Sequence, residues 1–191
     1  MKMNSRSLHL KNINFEGFST SNQWVGYFEK KGAYDFALIE DAITIISNFF
    51  SEQWKNFFAL SALSYDDETK PHEKMPKNYN HIYSKAKHKK YLKEGDDNFG
   101  DYLYGDAPLP ASSLSIHFDY NDFLDMSRIV MGHGGVIGEG LFLINLELGL
   151  VLYPHEDIGF GVISLSKDTS LCLKFLRDCY RYNEKFNIVI D

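Results

Sequence analysis

The sequence predicts an α+β fold: one domain, mainly an antiparallel sheet covered by helices. Three observations carry this. The chain has 191 residues, enough for one substantial core and short for two. Segments alternating apolar and polar, as strands do, stand among segments whose apolar residues recur at three and four, as helices do. The two kinds follow one another without the regular strand–helix–strand rhythm that builds a parallel sheet.

In chain order, "SLHLKNINFEGF" and "QWVGYFEKKG" alternate and read as two strands. In "YDFALIEDAITIISNFFSEQWKNFFALSAL", Phe36, Ile39, Ala42, Ile43, Ile46, Phe49 and Phe50 form one helix face. Ser51 and Glu52 then open a second helix holding Trp54, Phe57 and Phe58, or the first helix continues through them. "YDDETKPHEKMPKN" has two prolines and dense charge, so it is a loop. "YNHIYSKAKHKKYLKEG" sets Tyr79, Ile82, Tyr83 and Ala86 opposite lysines, which predicts a short amphipathic helix ending near Gly95. "DDNFGDYLYGDAPLPASS" reads as a long exposed loop. Residues 64–113 thus form a charged, partly irregular insertion in the domain.

"LSIHFDY" alternates as a strand, and "NDFLDMSRIVMG" is a helix with Asn121 as N-cap and Gly132 at its end. "GHGGVIGEG" is a flexible turn. "LFLINLELGLVLY" and "IGFGVISL" are strands joined by "PHEDIG". Ser166 caps the helix "KDTSLCLKFLRDCYRYNEKF", whose apolar face is Leu171, Cys172, Phe175, Leu176 and Cys179. "NIVI" closes the sequence as an edge strand.

Composition excludes several classes. Hydrophobic residues make up 44% and charged residues 24%, which suits a folded domain and argues against global disorder. Fifteen Phe, twelve Tyr and two Trp are enough to fill a core and still furnish a binding face. "MKMNSRSLHLKNINFEG" has no apolar stretch of a secretory signal, and no run reaches a membrane span, so the expected location is the cytoplasm. Cys172 and Cys179 lie seven apart on one helix, about 10 Å from each other, too far to bridge, and read as reduced core thiols. No cofactor is implied.

The net charge is −6, unevenly spread. Residues 70–93 carry eight Lys and one Glu; residues 94–127 carry eight carboxylates and no Lys or Arg. The two segments either neutralise each other or present separate basic and acidic surfaces. With four Arg against sixteen Lys in an acidic chain, direct nucleic-acid binding is not expected.

Catalytic signatures are sparse. "MGHGGVIGEG" follows a helix and lacks the context of a phosphate loop; no G-x-S-x-G, H-E-x-x-H or paired C-x-x-C occurs. In "LYPHEDIGFGVI", Pro154 opens a turn and Asp157 with Gly159 suit its end, so His155 and Glu156 read as solvated turn residues. The competing reading joins His117 and Asp119, two apart on one strand, to His155 and Asp157 as a metal site of a small hydrolase.

The acidic loop offers different chemistry. Phe99, Tyr102 and Tyr104 stand among Asp97, Asp101 and Asp106. Aromatic anchors in a field of carboxylates suit a binder of a basic protein, because rings supply buried area and charge steers the encounter. The plainer alternative is an exposed loop paired with the lysines before it.

"LFLINLELGLVLYPHEDIGFGVISLSKD" resembles a pattern in small bacterial domains of polymorphic toxin systems: strand, acidic turn, strand, helix. The whole chain is similar to immunity proteins of contact-dependent growth inhibition in being small, acidic, α+β and aromatic-rich. The resemblance covers about the last third of the chain and implies a non-enzymatic protein that binds and blocks a cognate toxin domain, commonly a nuclease. It carries over no residue by motif. A structural or regulatory adaptor is the third possibility.

Overall fold

The structure is a computed structural model that describes residues 12–14, 17–65, 75–95, 114–132, 136–137 and 140–191. Ten strands and four α-helices follow one another in these residues. They are β1 (Trp24–Lys30), α1 (Phe36–Phe49), β2 (Phe58–Ser61), β3 (Ser64–Tyr65), α2 (Lys77–His88), β4 (Lys93–Glu94), β5 (Ser115–His117), α3 (Tyr120–Gly132), β6 (Val136–Ile137), β7 (Leu141–Asn145), β8 (Leu150–His155), β9 (Gly159–Ser164), α4 (Ser170–Cys179) and β10 (Phe186–Ile190). Seven strands form one antiparallel sheet in the order β10-β1-β9-β8-β7-β2-β5, and β4-β3-β6 make a small second sheet. The fold is α+β, as the sequence predicts.

The helices cover one face of the large sheet. α4 packs on β1, β9 and β10, α1 on β9, and α3 on β7 and β8; α2 lies outermost, against α3. Strand registers explain the layering. Ala59, Leu143, Leu152 and Val162 stand in line across the sheet and belong to the main core under the helices. Their chain neighbours Leu60, Phe142, Val151 and Ile163 point the other way and build a second core with Ile13 and Phe18. Because β7, β8 and β9 are buried on both faces, they read as continuous apolar runs rather than alternations.

Local chemistry sets the helix boundaries. The Asp35 carboxylate accepts a hydrogen bond from the Ala37 N–H at 2.9 Å and caps α1, whose Ile39, Ala42, Ile43, Ile45 and Ile46 are buried. α4 buries Cys172, Phe175, Leu176 and Cys179. Phe175 is fully buried and meets the rings of Phe28, Phe49 and Phe50 at 5.2–6.1 Å between centroids. Burying such a ring is worth roughly 1.5–3 kcal/mol before any edge-to-face gain.

Several expectations are corrected. The second helix after Ser51 does not form, and α1 does not continue. Trp54–Asn56 is a single 3-10 turn, and Phe58–Ser61 enters the sheet between β7 and β5. The run "FFALS" is buried on both sides, where helix and strand have no distinguishing period. "LFLINLELGLVLY" is not one strand but a hairpin: the Asn145 side chain accepts from the Leu148 N–H at 3.0 Å, and Gly149 takes φ 69 to close the turn. The described part of "SLHLKNINFEGF" is not strand; Phe18–Thr20 is a 3-10 turn, and residues 7–11 and 15–16 lie outside the description.

The helix from residue 77 ends at His88 rather than near Gly95, because Lys90 turns to φ 59 and frees Tyr91 to enter the core. α3 is capped by Asp119, not Asn121: its carboxylate accepts the Asn121 N–H at 3.0 Å. α4 starts at Ser170 with Thr169 at the cap, and Asp168, not Ser166, receives the Ser170 N–H at 2.9 Å. Within "GHGGVIGEG", Val136–Ile137 pairs with β3. Among the described residues, no helix is long and apolar enough to cross a membrane.

Candidate partner-binding site

β5 ends the large sheet and leads straight into α3, so one short stretch combines an edge strand, a turn and a helix cap. Its registers place His117 beside Ala59, toward the helices, and Ile116 beside Leu60, on the far face. Phe118 follows and is 76% exposed, and Ile116 is 57% exposed. Phe118 touches the rest of the sheet through the Phe58 ring, 5.9 Å away between centroids. Phe118 is the most exposed large apolar side chain among the described residues, and Ile116 comes next. Asp119 beside them caps α3 and lies 3.9 Å from Lys89 Nζ.

Behind this edge sits a buried ionic cluster. Asp122 is 1% exposed. One carboxylate oxygen meets Lys85 Nζ at 2.7 Å; the other accepts from Lys89 Nζ and from the Tyr91 hydroxyl. Lys85 also reaches Asp125 at 3.1 Å. Burial on its own would raise the Asp122 pKa, but the hydrogen bonds from Lys85, Lys89 and Tyr91 outweigh it and hold the carboxyl well below the usual range. Burial and the bond to Asp122 push the Tyr91 phenol up. A carboxylate so fully engaged is poorly suited to exchanging protons near neutral pH; it pins α2 to α3.

His117 closes the cluster from the sheet side. Its ring stands edge-on to Tyr91, 4.2 Å between centroids, and Nε2 shares a 2.7 Å hydrogen bond with the Ser115 hydroxyl. Burial lowers its pKa. Across α2 lies a groove of ≈ 410 Å³ whose charges are matched internally. Arg128 forks onto both Glu40 oxygens at 2.8 Å and reaches Asp125 at 3.2 Å.

The four residues of the hydrolase reading are not brought together. His117 faces the helices, whereas His155 shares the opposite face with Tyr153, three strands away, about 14 Å at the usual strand spacing. Asp119 caps α3, and the exposed Asp157 pairs with Lys30 at 3.3 Å. No group of three or more His, Cys, Asp or Glu is placed to hold a metal among the described residues.

His155 is not a solvated turn residue either. β8 runs through it, its Nε2 meets the Phe28 carbonyl at 3.1 Å, and its ring stands beside Tyr27 and Tyr153. Burial drives its pKa down to about 4, against smaller opposing effects of Phe28 and Asp157. The left-handed turn residue is Ile158 at φ 53; Gly159 lies already in β9.

Of the partner-binding residues read from the sequence, Asp97, Phe99, Asp101, Tyr102, Tyr104 and Asp106 lie outside the described residues. Ile116 and Phe118 are not among the residues the sequence marks. Their spacing of two in "SIHFD" marks a shared face, but only the position of β5 at the sheet edge makes that face exposed. Comparison with protein-family models, with curated proteins and with solved structures finds no match to this chain.

Proposed function

We propose that this protein is an immunity-type inhibitor that binds a cognate toxin domain, a nuclease being the expected class, and blocks it stoichiometrically without catalysis of its own. The observation that carries the reading is the β5 edge: Phe118 and Ile116 stand out of the surface beside Asp119, in a chain of net charge −6. Exposed aromatic anchors next to carboxylates suit a basic protein surface, where the ring supplies binding energy and the charge speeds encounter. The same edge follows in sequence the segment holding Asp97, Asp101, Tyr102, Tyr104 and Asp106. A second feature supports it. Lys85 and Lys89 have partners in Asp119, Asp122 and Asp125 of α3 and its cap, so these two lysines do not need the carboxylates of residues 97–106 for neutralisation.

The test pairs the full chain with the C-terminal toxin domain encoded by the neighbouring gene, measuring binding kinetics and residual toxin activity. Phe118→Ala should keep the folding transition within ~0.5 kcal/mol, as at exposed sites. It should speed dissociation at least tenfold, as loss of an anchor does. Unchanged dissociation on a confirmed complex removes β5 from the interface; absence of any complex with that domain refutes the inhibitor reading.

A further inference from the structure

A second cleft, of ≈ 450 Å³, lies between α1 and α4, away from the β5 edge. The two helices run antiparallel. Phe175 of α4 meets Phe49 and Phe50 at the end of α1, 5.2 and 5.4 Å between centroids, whereas Lys185, beyond α4, reaches Asp41 near the start of α1 at 2.7 Å. The carbonyl end of α1 and the amide end of α4 therefore lie close together, and their opposite partial charges offset. Side chains are left to set the character of the cleft.

Its floor is apolar. Ile45 and Phe50, 3% and 1% exposed, lie at the bottom, and Leu148 of the β7–β8 turn and Leu171 of α4 form walls. Its polar groups are unspent. Lys174, the Asn48 and Gln53 amides and the Tyr182 hydroxyl line the cleft, and none has an ion pair or a side-chain hydrogen bond among the described residues. In the groove across α2, by contrast, Arg128 is matched by Glu40 and Asp125. All four unspent groups can donate hydrogen bonds. The carboxylate lining the cleft, Asp178, is held by Arg181 at 3.0 Å, so cations outnumber carboxylates here although the whole chain carries −6. A concave site of this size, apolar at its floor with a few polar groups, suits a small molecule.

We propose that this cleft binds a small amphipathic carboxylate, its apolar body on Ile45, Phe50, Leu148 and Leu171 and its carboxylate on Lys174. The site is independent of the inhibitor reading. Charge selects the head: a cationic head would face Lys174 and Arg181 with only Asp178, already engaged, to receive it. The floor selects the body: an anion without an apolar part leaves Ile45 and Phe50 uncovered.

Calorimetric titration of the full chain with decanoate tests this, with decylammonium and acetate as controls and circular dichroism verifying the fold of each variant. Decanoate should saturate at one molecule per chain, and acetate should give no saturable binding. Lys174→Gln removes the charge and should weaken decanoate about threefold, as loss of an exposed ion pair does. Decylammonium turns that attraction into repulsion. It should bind the wild type about tenfold more weakly than decanoate does, and regain affinity in Lys174→Gln. Asn48→Trp, at an exposed position on the rim, should fill the mouth and abolish binding. A wild type that takes up no decanoate overturns the proposal, as does decylammonium or acetate binding as tightly as decanoate. Decanoate affinity unchanged in both variants puts the ligand elsewhere and overturns the site.

Discussion

Asp122→Asn changes one oxygen to an NH2 group at the centre of the α2–α3 contact and keeps the shape. The wild-type carboxylate receives Lys85, Lys89 and the Tyr91 hydroxyl while 1% exposed. Hydrogen bonds to a charged group contribute about 1.5–3 kcal/mol each, and removing one partner of a buried ion pair costs about 3–5 kcal/mol. Two facts reduce that figure. Lys85 and Lys89 are 35% and 38% exposed, so both ammonium groups can turn to water, and Tyr91 can still donate to the amide oxygen. The expected loss is about 2–3 kcal/mol, or roughly 5–10 °C in Tm for a chain of this size. Urea unfolding at neutral pH reads it directly. The low Asp122 pKa adds a signature: its stabilisation is complete above the ordinary carboxylate value of 3.8 and is lost as pH falls through the lower folded value. The wild type should therefore converge on the variant in acid. A variant within 0.5 kcal/mol of wild type at neutral pH, an ordinary error of such comparisons, would refute the reasoning that this carboxylate pins α2 to α3.

Two other outcomes follow from the sheet. His155 has a folded pKa of about 4 against the ordinary histidine value of 6.5, so the unfolded chain takes up its proton first. Its contribution is whole above pH 6.5 and falls as pH drops toward 4, by roughly 3 kcal/mol at full effect; unfolding free energies of wild type and His155→Gln at pH 7 and pH 4.5 should show a smaller loss in the variant, and equal losses would sink the idea. Gly159→Ala would place a Cβ 1.8 Å from the Phe28 carbonyl oxygen and force β9 off β1; it should destabilise by ~3 kcal/mol or more or prevent folding, and a near-native thermal transition would contradict the close approach.

The α+β class, the α1, α2, α3 and α4 segments, β1, β5, β9 and the terminal edge strand were legible in the sequence because each carries a period or a short flanked run. Isoleucines at three and four in α1, and Cys172, Phe175, Leu176 and Cys179 in α4, state which face is buried before any neighbour is known. Where burial is two-sided that information vanishes. The sequence of β2 predicts helix, and that of the β7–β8 hairpin one strand, because apolar runs covered on both faces have no period to read. The candidate site divides the same way. The opposite charges of residues 70–93 and 94–127 are a sequence fact, but that Lys85 and Lys89 converge on Asp122, Asp125 and Asp119 depends on two helices packing side by side. Alternation puts His117 and Asp119 on one side of a strand, but β5 ends at His117 and Asp119 caps α3 instead; nor does alternation place His155 on the opposite face of a shared sheet, or leave Phe118 in solvent at its edge. Composition and local period determine which side of each element seeks burial. Long-range pairing decides which strand is central and which is an edge, because hydrogen-bonded neighbours come from parts of the chain that no local pattern connects.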